Sequence, residues 1–239
     1  MKNMHSFTSR LMAFGIAFVA MASLTAASAQ TGNQDAAKAV RVTGAARYTI
    51  DNVNWLPLKK GDMIKPGAVV QTASSSQVDL LLSGRGLVRL YENTVLGVDK
   101  LTRMETGADW VTETQLDVRK GKITGTVKKL SGASKYEVKY KNGVAGIRGT
   151  IYTISEAGVV SVLEGSVVIA WVKPDGAVAT QVVNAGEMFD PAGGVITSIT
   201  PVDRAEMVDL KKESEDLGGG GGAGGSGVVD HTVEYVSPK

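Results

Sequence analysis

From Val40 to Ile199 the chain is a succession of short β-branched runs separated by glycines and turn pairs, and that rhythm leaves few folds open. Val40 and Val42 alternate with polar residues. Val78, Leu80 and Leu82 share one face, with Gln77, Asp79 and Leu81 on the other. Tyr136, Val138 and Tyr140 alternate with Lys135, Glu137, Lys139 and Lys141. A period of two places successive side chains on opposite faces of a strand, so such runs read as half-buried strands. Leu87 to Tyr91, Val159 to Leu163, Val167 to Val172, Val178 to Val183 and Val195 to Ile199 extend the series with residues that suit a pleated surface. Asn142-Gly143 and Asp175-Gly176 are hairpin signals, because both central positions of that turn need positive φ. A looser unit recurs as Lys60-Gly61-Asp62-Met63, Lys120-Gly121-Lys122-Ile123, Glu164-Gly165-Ser166-Val167 and Ala185-Gly186-Glu187-Met188. These units predict tight turns, and their uneven spacing argues against a propeller or a hexapeptide solenoid. The fold class is therefore all-β: an antiparallel sandwich or solenoid-like meander of many short strands, with one C-terminal helix.

That helix is predicted over residues 201–217. Thr200 supplies an N-cap, Pro201 occupies the first helical position, and Asp203 places an acid in the first turn. Met207, Leu210 and Leu217 fall near one stripe, and Gly218 stops the run. Residues 218–227 hold eight glycines, one alanine and one serine, a linker composition that buries nothing. The tail, residues 228–239, alternates Val229, His231, Val233 and Tyr235 with more polar neighbours. It is read as a floppy end, with strand addition to its own sheet or a partner's as the other reading.

Residues 1–29 read as a signal peptide. Lys2 and Arg10 give the positive start, Leu11 to Leu24 the apolar run, and Ala27-Ser28-Ala29 the small-x-small cleavage site, leaving Gln30 as the new N-terminus. The alternative is an uncleaved anchor, but the run fades short of the roughly 20 apolar residues that a span requires. An exported protein, periplasmic or extracellular, with no membrane span after processing is therefore expected. A polar entry segment (30–38) then leads into the β domain (39–200). The net charge of +2 belongs to the leader: beyond residue 29 there remain 24 basic and 24 acidic residues. Such a balance offers no concentrated field for nucleic acid.

The chain has no cysteine, which removes disulfides, thiol nucleophiles and thiolate metal sites. His5 and His231 are the only histidines, so a histidine base or metal site is nearly excluded. Asp109, Glu113 and Asp117 read as the solvated face of a strand, with Trp110, Thr112, Thr114 and Leu116 opposite them. No calcium loop occurs and nothing marks a catalytic carboxylate pair. The expectation is a protein that is not an enzyme, with no catalytic residues, no cofactor and no metal.

From Gly143 to Ile154 the sequence reads Gly-Val-Ala-Gly-Ile-Arg-Gly-Thr-Ile-Tyr-Thr-Ile, which resembles the signature of the FecR-type domain. Four further stretches agree in order: Leu58 to Thr72, Val78 to Leu90, Val118 to Val127, and the pair Val162 to Ile169 with Val183 to Glu187. The resemblance covers about residues 40 to 190 and implies an all-β extracytoplasmic module. In the regulators that define the family, an anti-sigma segment and a membrane helix precede that module. Here only ten residues precede the apolar run, so the resemblance implies a stand-alone module without that segment. Gly146, Arg148, Gly149 and Thr150 carry the signature and are read as structural: the glycines let strands approach, and Arg148 pairs with an internal acid or caps carbonyls. The competing reading is an arginine that grips a carboxylate or phosphate. Trp171 continues the alternation of Val167 and Ile169 into the core, whereas Trp55, beside Asn52, Asn54 and Pro57, is the candidate surface contact. The function expected is binding of an envelope protein or polysaccharide. The alternative is an uncleaved, membrane-tethered accessory of a FecR-like signalling system.

Overall fold

The computed structural model describes residues 33–82, 86–107, 109–173 and 175–218. The segment read as a signal peptide with its expected Ala29–Gln30 junction, the expected linker beyond Gly218 and the expected tail lie outside the described residues. Two sheets are built by a chain that keeps changing sides. β1 (Asn33–Gln34) joins sheet I, β2 (Ala37–Thr43) sheet II, β3 (Ala46–Thr49) and β4 (Leu56–Pro57) sheet I, and β5 (Met63–Ile64) sheet II. β6 (Val69–Thr72) lies in sheet I and the β7 (Gln77–Leu82) and β8 (Gly86–Leu90) pair in sheet II. The long hairpin of β9 (Val95–Thr106) and β10 (Asp109–Lys120) belongs to sheet I, and β11 (Lys122–Val127) to sheet II. Pairs then alternate: β12 (Lys135–Tyr140) and β13 (Gly143–Ile147) in sheet I, β14 (Ile151–Ser155) and β15 (Val160–Glu164) in sheet II. β16 (Ser166–Val172) and β17 (Val178–Asn184) follow in sheet I, β18 (Glu187–Asp190) and β19 (Val195–Ser198) in sheet II. Helix α1 (Pro201–Gly218) ends the described chain.

The strand order is β17-β16-β13-β12-β10-β9-β6-β3-β4 in sheet I, with β1 also on β9, and β19-β18-β15-β14-β11-β8-β7-β2-β5 in sheet II. β10 and β12 pair in parallel, and the other ladders are antiparallel. The sheets share one core: Leu80, Leu90, Ile123 and Tyr152 from sheet II meet Val70, Leu96, Leu116, Val138 and Ile169 from sheet I. The result is an open sandwich with a solenoid-like path.

The recurring glycine unit has a definite place in this path. Gly61, Gly121, Gly165 and Gly186 have φ of 100, 80, 79 and 84°, and each stands where the chain passes from one sheet to the other. The units predicted as tight turns are thus the corners of the sandwich. The Asn142-Gly143 expectation is corrected in detail. Tyr140 pairs directly with Gly143, so Lys141 and Asn142 form the loop, and neither has positive φ. Gly143 is required for a different reason: a Cβ there would lie 2.5 Å from the Tyr140 hydroxyl and 2.6 Å from the Ala170 carbonyl. At the other hairpin Gly176 has φ 85° and donates to the Lys173 carbonyl at 2.9 Å. The entry segment is not merely a lead-in, because Asn33 and Gln34 pair with β9, and Ala37 and Lys38 already belong to β2.

Helix α1 starts as its sequence dictates, with the Asp203 N–H donating to the Thr200 hydroxyl at 3.0 Å. Met207 and Leu210 are fully buried, whereas Leu217 is 42% exposed and leaves the expected stripe. Met207 packs with Ile151 and Ile199 in a second, smaller core outside sheet II.

Candidate functional site

The signature residues form a corner. Gly146 ends the exposed side of β13, and Arg148-Gly149-Thr150 carries the chain from β13 in sheet I to β14 in sheet II. Gly149 has φ 61°, a left-handed conformation that costs an ordinary residue about 1–2 kcal/mol. The Thr150 hydroxyl reaches the Arg148 carbonyl at 3.1 Å and the Ser166 carbonyl at 3.0 Å, which ties this corner to the one at Gly165. The two approach so closely that a Cβ on Gly165 would sit 2.5 Å from the Gly149 carbonyl oxygen. Arg148 itself is exposed and donates to the Leu130 carbonyl at 3.3 Å. It caps a carbonyl, and the internal acid expected as its other possible partner is not among its contacts. Gly149→Ala is therefore expected to cost about 1–2 kcal/mol and Arg148→Ala about 0.5–1 kcal/mol, read from urea denaturation midpoints. A larger loss for the arginine would reverse this order.

The strongest electrostatic feature was not legible as a site. Arg89 on β8 is 3% exposed, and Asp79 on β7, its cross-strand neighbour, is fully buried. Arg89 Nε and Nη2 grip the Asp79 carboxylate at 2.8 and 2.9 Å. From α1, Asp209 accepts from Nη1 at 2.6 Å, and Glu213 accepts from Nη2 and also pairs with Arg41 at 2.5 Å. Burial opposes the Arg89 charge, but the bonds to Asp79 and Asp209 outweigh it and keep the guanidinium protonated. Burial, then the charge of Asp79, pushes the Glu213 carboxyl above its ordinary range. Further along the same bed, Lys122 meets Glu206 at 2.6 Å, Ser161 meets Asp203 at 2.9 Å and Thr126 meets Ser214 at 2.9 Å. The acids that converge here are held by a cation beneath a helix, an arrangement that docks α1. Among the described residues no group of three or more His, Asp or Glu side chains is placed to hold a metal ion.

Trp171 lies where its alternation places it, and the other two tryptophans are each covered on one face. Trp171 is core, packed edge-on to Phe189 at 4.7 Å. Trp55 is half-buried with the Arg47 guanidinium over its ring at 4.4 Å, so one face is already taken. Trp110 is the more exposed at 44%, with Arg103 over it at 3.5 Å. Its neighbours follow the strand reading: Thr112, Thr114 and Leu116 are buried, while Glu113 pairs with Lys100 and Asp117 with Arg119. At the loop end of the sandwich a cleft of about 410 Å³ is lined by Tyr140, Asn142, Trp171, Lys173 and Pro191 among others. Burial pushes the Tyr140 phenol up to about 12, and its hydroxyl has no hydrogen-bond partner.

Beside this cleft lies an apolar stretch of exposed surface. Strands β16 and β17 contain no charged residue across their combined length. On their outward face Val168 pairs with Val182 and Val172 with Val178, with Ala170 opposite Thr180 between them. These four valines are 48, 43, 47 and 72% exposed in that order. Val144 and Gly146 on β13 continue the apolar strip, and the charges resume on β12 with Glu137 and Lys139. Contiguous apolar patches on a surface mark interaction sites more often than scattered apolar residues do.

Residues 68–168 match the family described as FecR protein, a stretch that runs from the start of β6 into β16. No curated protein matches the sequence. Two crystal structures of a candidate anti-sigma factor from Parabacteroides distasonis ATCC 8503 are similar to part of the chain. Each shares 15% identity with a TM-score of 0.41, over 55% of this chain and 59% of the other. The likeness thus spans less than two thirds of those proteins' length.

Proposed function

We propose that this chain, which carries a FecR domain over residues 68–168, is an exported, non-enzymatic module that works by binding a protein of the cell envelope. The observation that carries the reading is the outward face of β16 and β17, where four valines stand in solvent within a charge-free hairpin pair. Burying them against a partner would release about 25 cal/mol for each Å² of apolar surface covered. The leader-like composition of residues 1–29 supports a place outside the cytoplasm, in a periplasm or at the cell surface. Polysaccharide binding is the second reading, favoured by the cleft that combines Trp171 and Tyr140 with Asn142 and Lys173.

A photo-cross-linkable residue placed at Val168 in the full chain, irradiated in intact cells, is expected to yield one discrete protein adduct from the envelope fraction. The same residue at Gln115, on the charged part of sheet I, should give none. Equal adducts at both positions, or none at Val168, would remove the protein reading; a glycan adduct from position 173 alone would favour the second. N-terminal sequencing of the same material should begin at Gln30, and Met1 would indicate the tethered accessory instead.

A further inference from the structure

Among the described residues the strand orders end at β4 and β17 in sheet I and at β5 and β19 in sheet II, and the two-residue β1 adds a short free edge on β9. A terminal strand presents unpaired backbone donors and acceptors, and proteins blunt it by shortness, proline, charge or a bulge. β4 has two residues, one of them Pro57; β5 has two and β19 four. β2, uncovered beyond its short contact with β5, carries Arg41 and a break in register between Ala39 and Arg41. β17 has none of these protections. Its seven residues, Val-Ala-Thr-Gln-Val-Val-Asn, include no charge and no proline, and it pairs with β16 without interruption.

The direction of its free groups follows from one bond. Lys173 N–H donates to the Ala177 carbonyl at 2.8 Å. Counting in twos from there, Ala179, Gln181 and Val183 turn their backbone groups toward β16, and Val178, Thr180 and Val182 turn theirs outward. Two contacts agree with that count. The Gln181 side-chain amide reaches the Val182 carbonyl at 2.8 Å, and Glu187 accepts the Asn184 N–H at 2.7 Å, which closes the row at that end.

We propose that β17 pairs with the same strand of a second copy of this chain, antiparallel, about a two-fold axis beside Thr180. An isologous contact needs a surface that is complementary to itself. The outward row reads Val-Thr-Val in either direction, so the two-fold sets Thr180 against its own copy and Val178 against Val182 of the other chain. No like charges meet, and the Gln181 amide swings off the carbonyl it covers. The two four-valine faces then join into one continuous apolar surface on a sheet that runs through both copies. The self-complementary, charge-free outward row makes a second copy the occupant, and removal of residues 219–239 tests it against the chain's own tail. This inference rests on the edge of β17 and not on the envelope partner.

The absence of cysteine makes the register directly readable. Opposed residues of a hydrogen-bonded pair have Cα atoms about 5.5 Å apart, within the range a disulfide spans. Under mild oxidation the full chain with Thr180→Cys is expected to cross-link to itself. Val178→Cys and Val182→Cys should each stay largely uncrosslinked alone and cross-link when mixed. Sedimentation of the unmodified chain should show a dimer, and Thr180→Lys should weaken it at least about tenfold with an unchanged melting midpoint. A chain that is monomeric at about 100 µM overturns the proposal. So does self-cross-linking of Val178→Cys equal to that of Thr180→Cys, or a dimer that forms only after residues 219–239 are removed, which would make the tail the occupant. A Val168 adduct with an envelope protein would stand whichever of these results is obtained.

Discussion

Arg89→Ala is expected to destabilise the fold by about 3–5 kcal/mol, read as a fall in the urea midpoint with little change in slope. The physical cause is the residue left behind. Asp79 has no exposure, and without the guanidinium its nearest remaining cation is Arg41 at 3.7 Å. A buried carboxylate stripped of its partner costs far more than the intact pair contributes. Arg89→Lys should recover only part of the loss, because a single ammonium cannot match a fork that grips Asp79 twice while reaching Asp209 and Glu213. Arg89→Met combined with Asp79→Leu should recover more than either change alone, since it removes both charges together. A loss below about 1 kcal/mol for Arg89→Ala would show that water enters the bed and that α1 is not held by it.

Gly125→Val should be comparably severe, at about 3 kcal/mol or more. Gly125 lies on β11 directly opposite Tyr152 on β14, and an added Cβ would fall 2.4 Å from the ring carbon that bears the hydroxyl. Tyr152 is fully buried and cannot move aside: its hydroxyl meets that of Tyr136 at 3.1 Å and the two rings pack edge to face. The space over Gly125 is therefore already the tyrosine's. Combining Gly125→Ala with Tyr152→Leu should be less damaging than the sum of the single changes, by about 0.5–3 kcal/mol in a double-mutant cycle. Strict additivity would mean that the ring does not occupy that space.

How far the sequence reveals such features depends on how local their causes are. The strands of the β12–β13 and β16–β17 hairpins, the Thr200 cap and the glycine corners follow from patterns a few residues long, and they are read correctly or nearly so. The character of β7 and β8 does not. Asp79 alternates with Val78 and Leu80 as an outward, solvated residue should, yet it is buried because a helix more than a hundred residues later covers that face. Arg89 in Leu-Val-Arg-Leu-Tyr looks like one polar residue on an ordinary strand for the same reason. The signature is legible as a motif, but its place at a corner between sheets is visible only once the crossing is seen. Trp55 shows the converse: its loop setting suggested a bare ring, and Arg47, from a strand that pairs beside it, covers one side.

The polar bed under α1 also bears on the order in which the molecule can be completed. Synthesis proceeds from the N-terminus, so Asp79 and Arg89 are made long before Asp209 and Glu213. Until those last residues emerge, the outer side of sheet II holds Arg89 with two of its three carboxylate partners missing and a layer of threonines with no cover. A chain stopped just before α1 thus has its described strands but no finished surface on that side. Helix α1, Pro201–Gly218, is what covers that side of the sandwich.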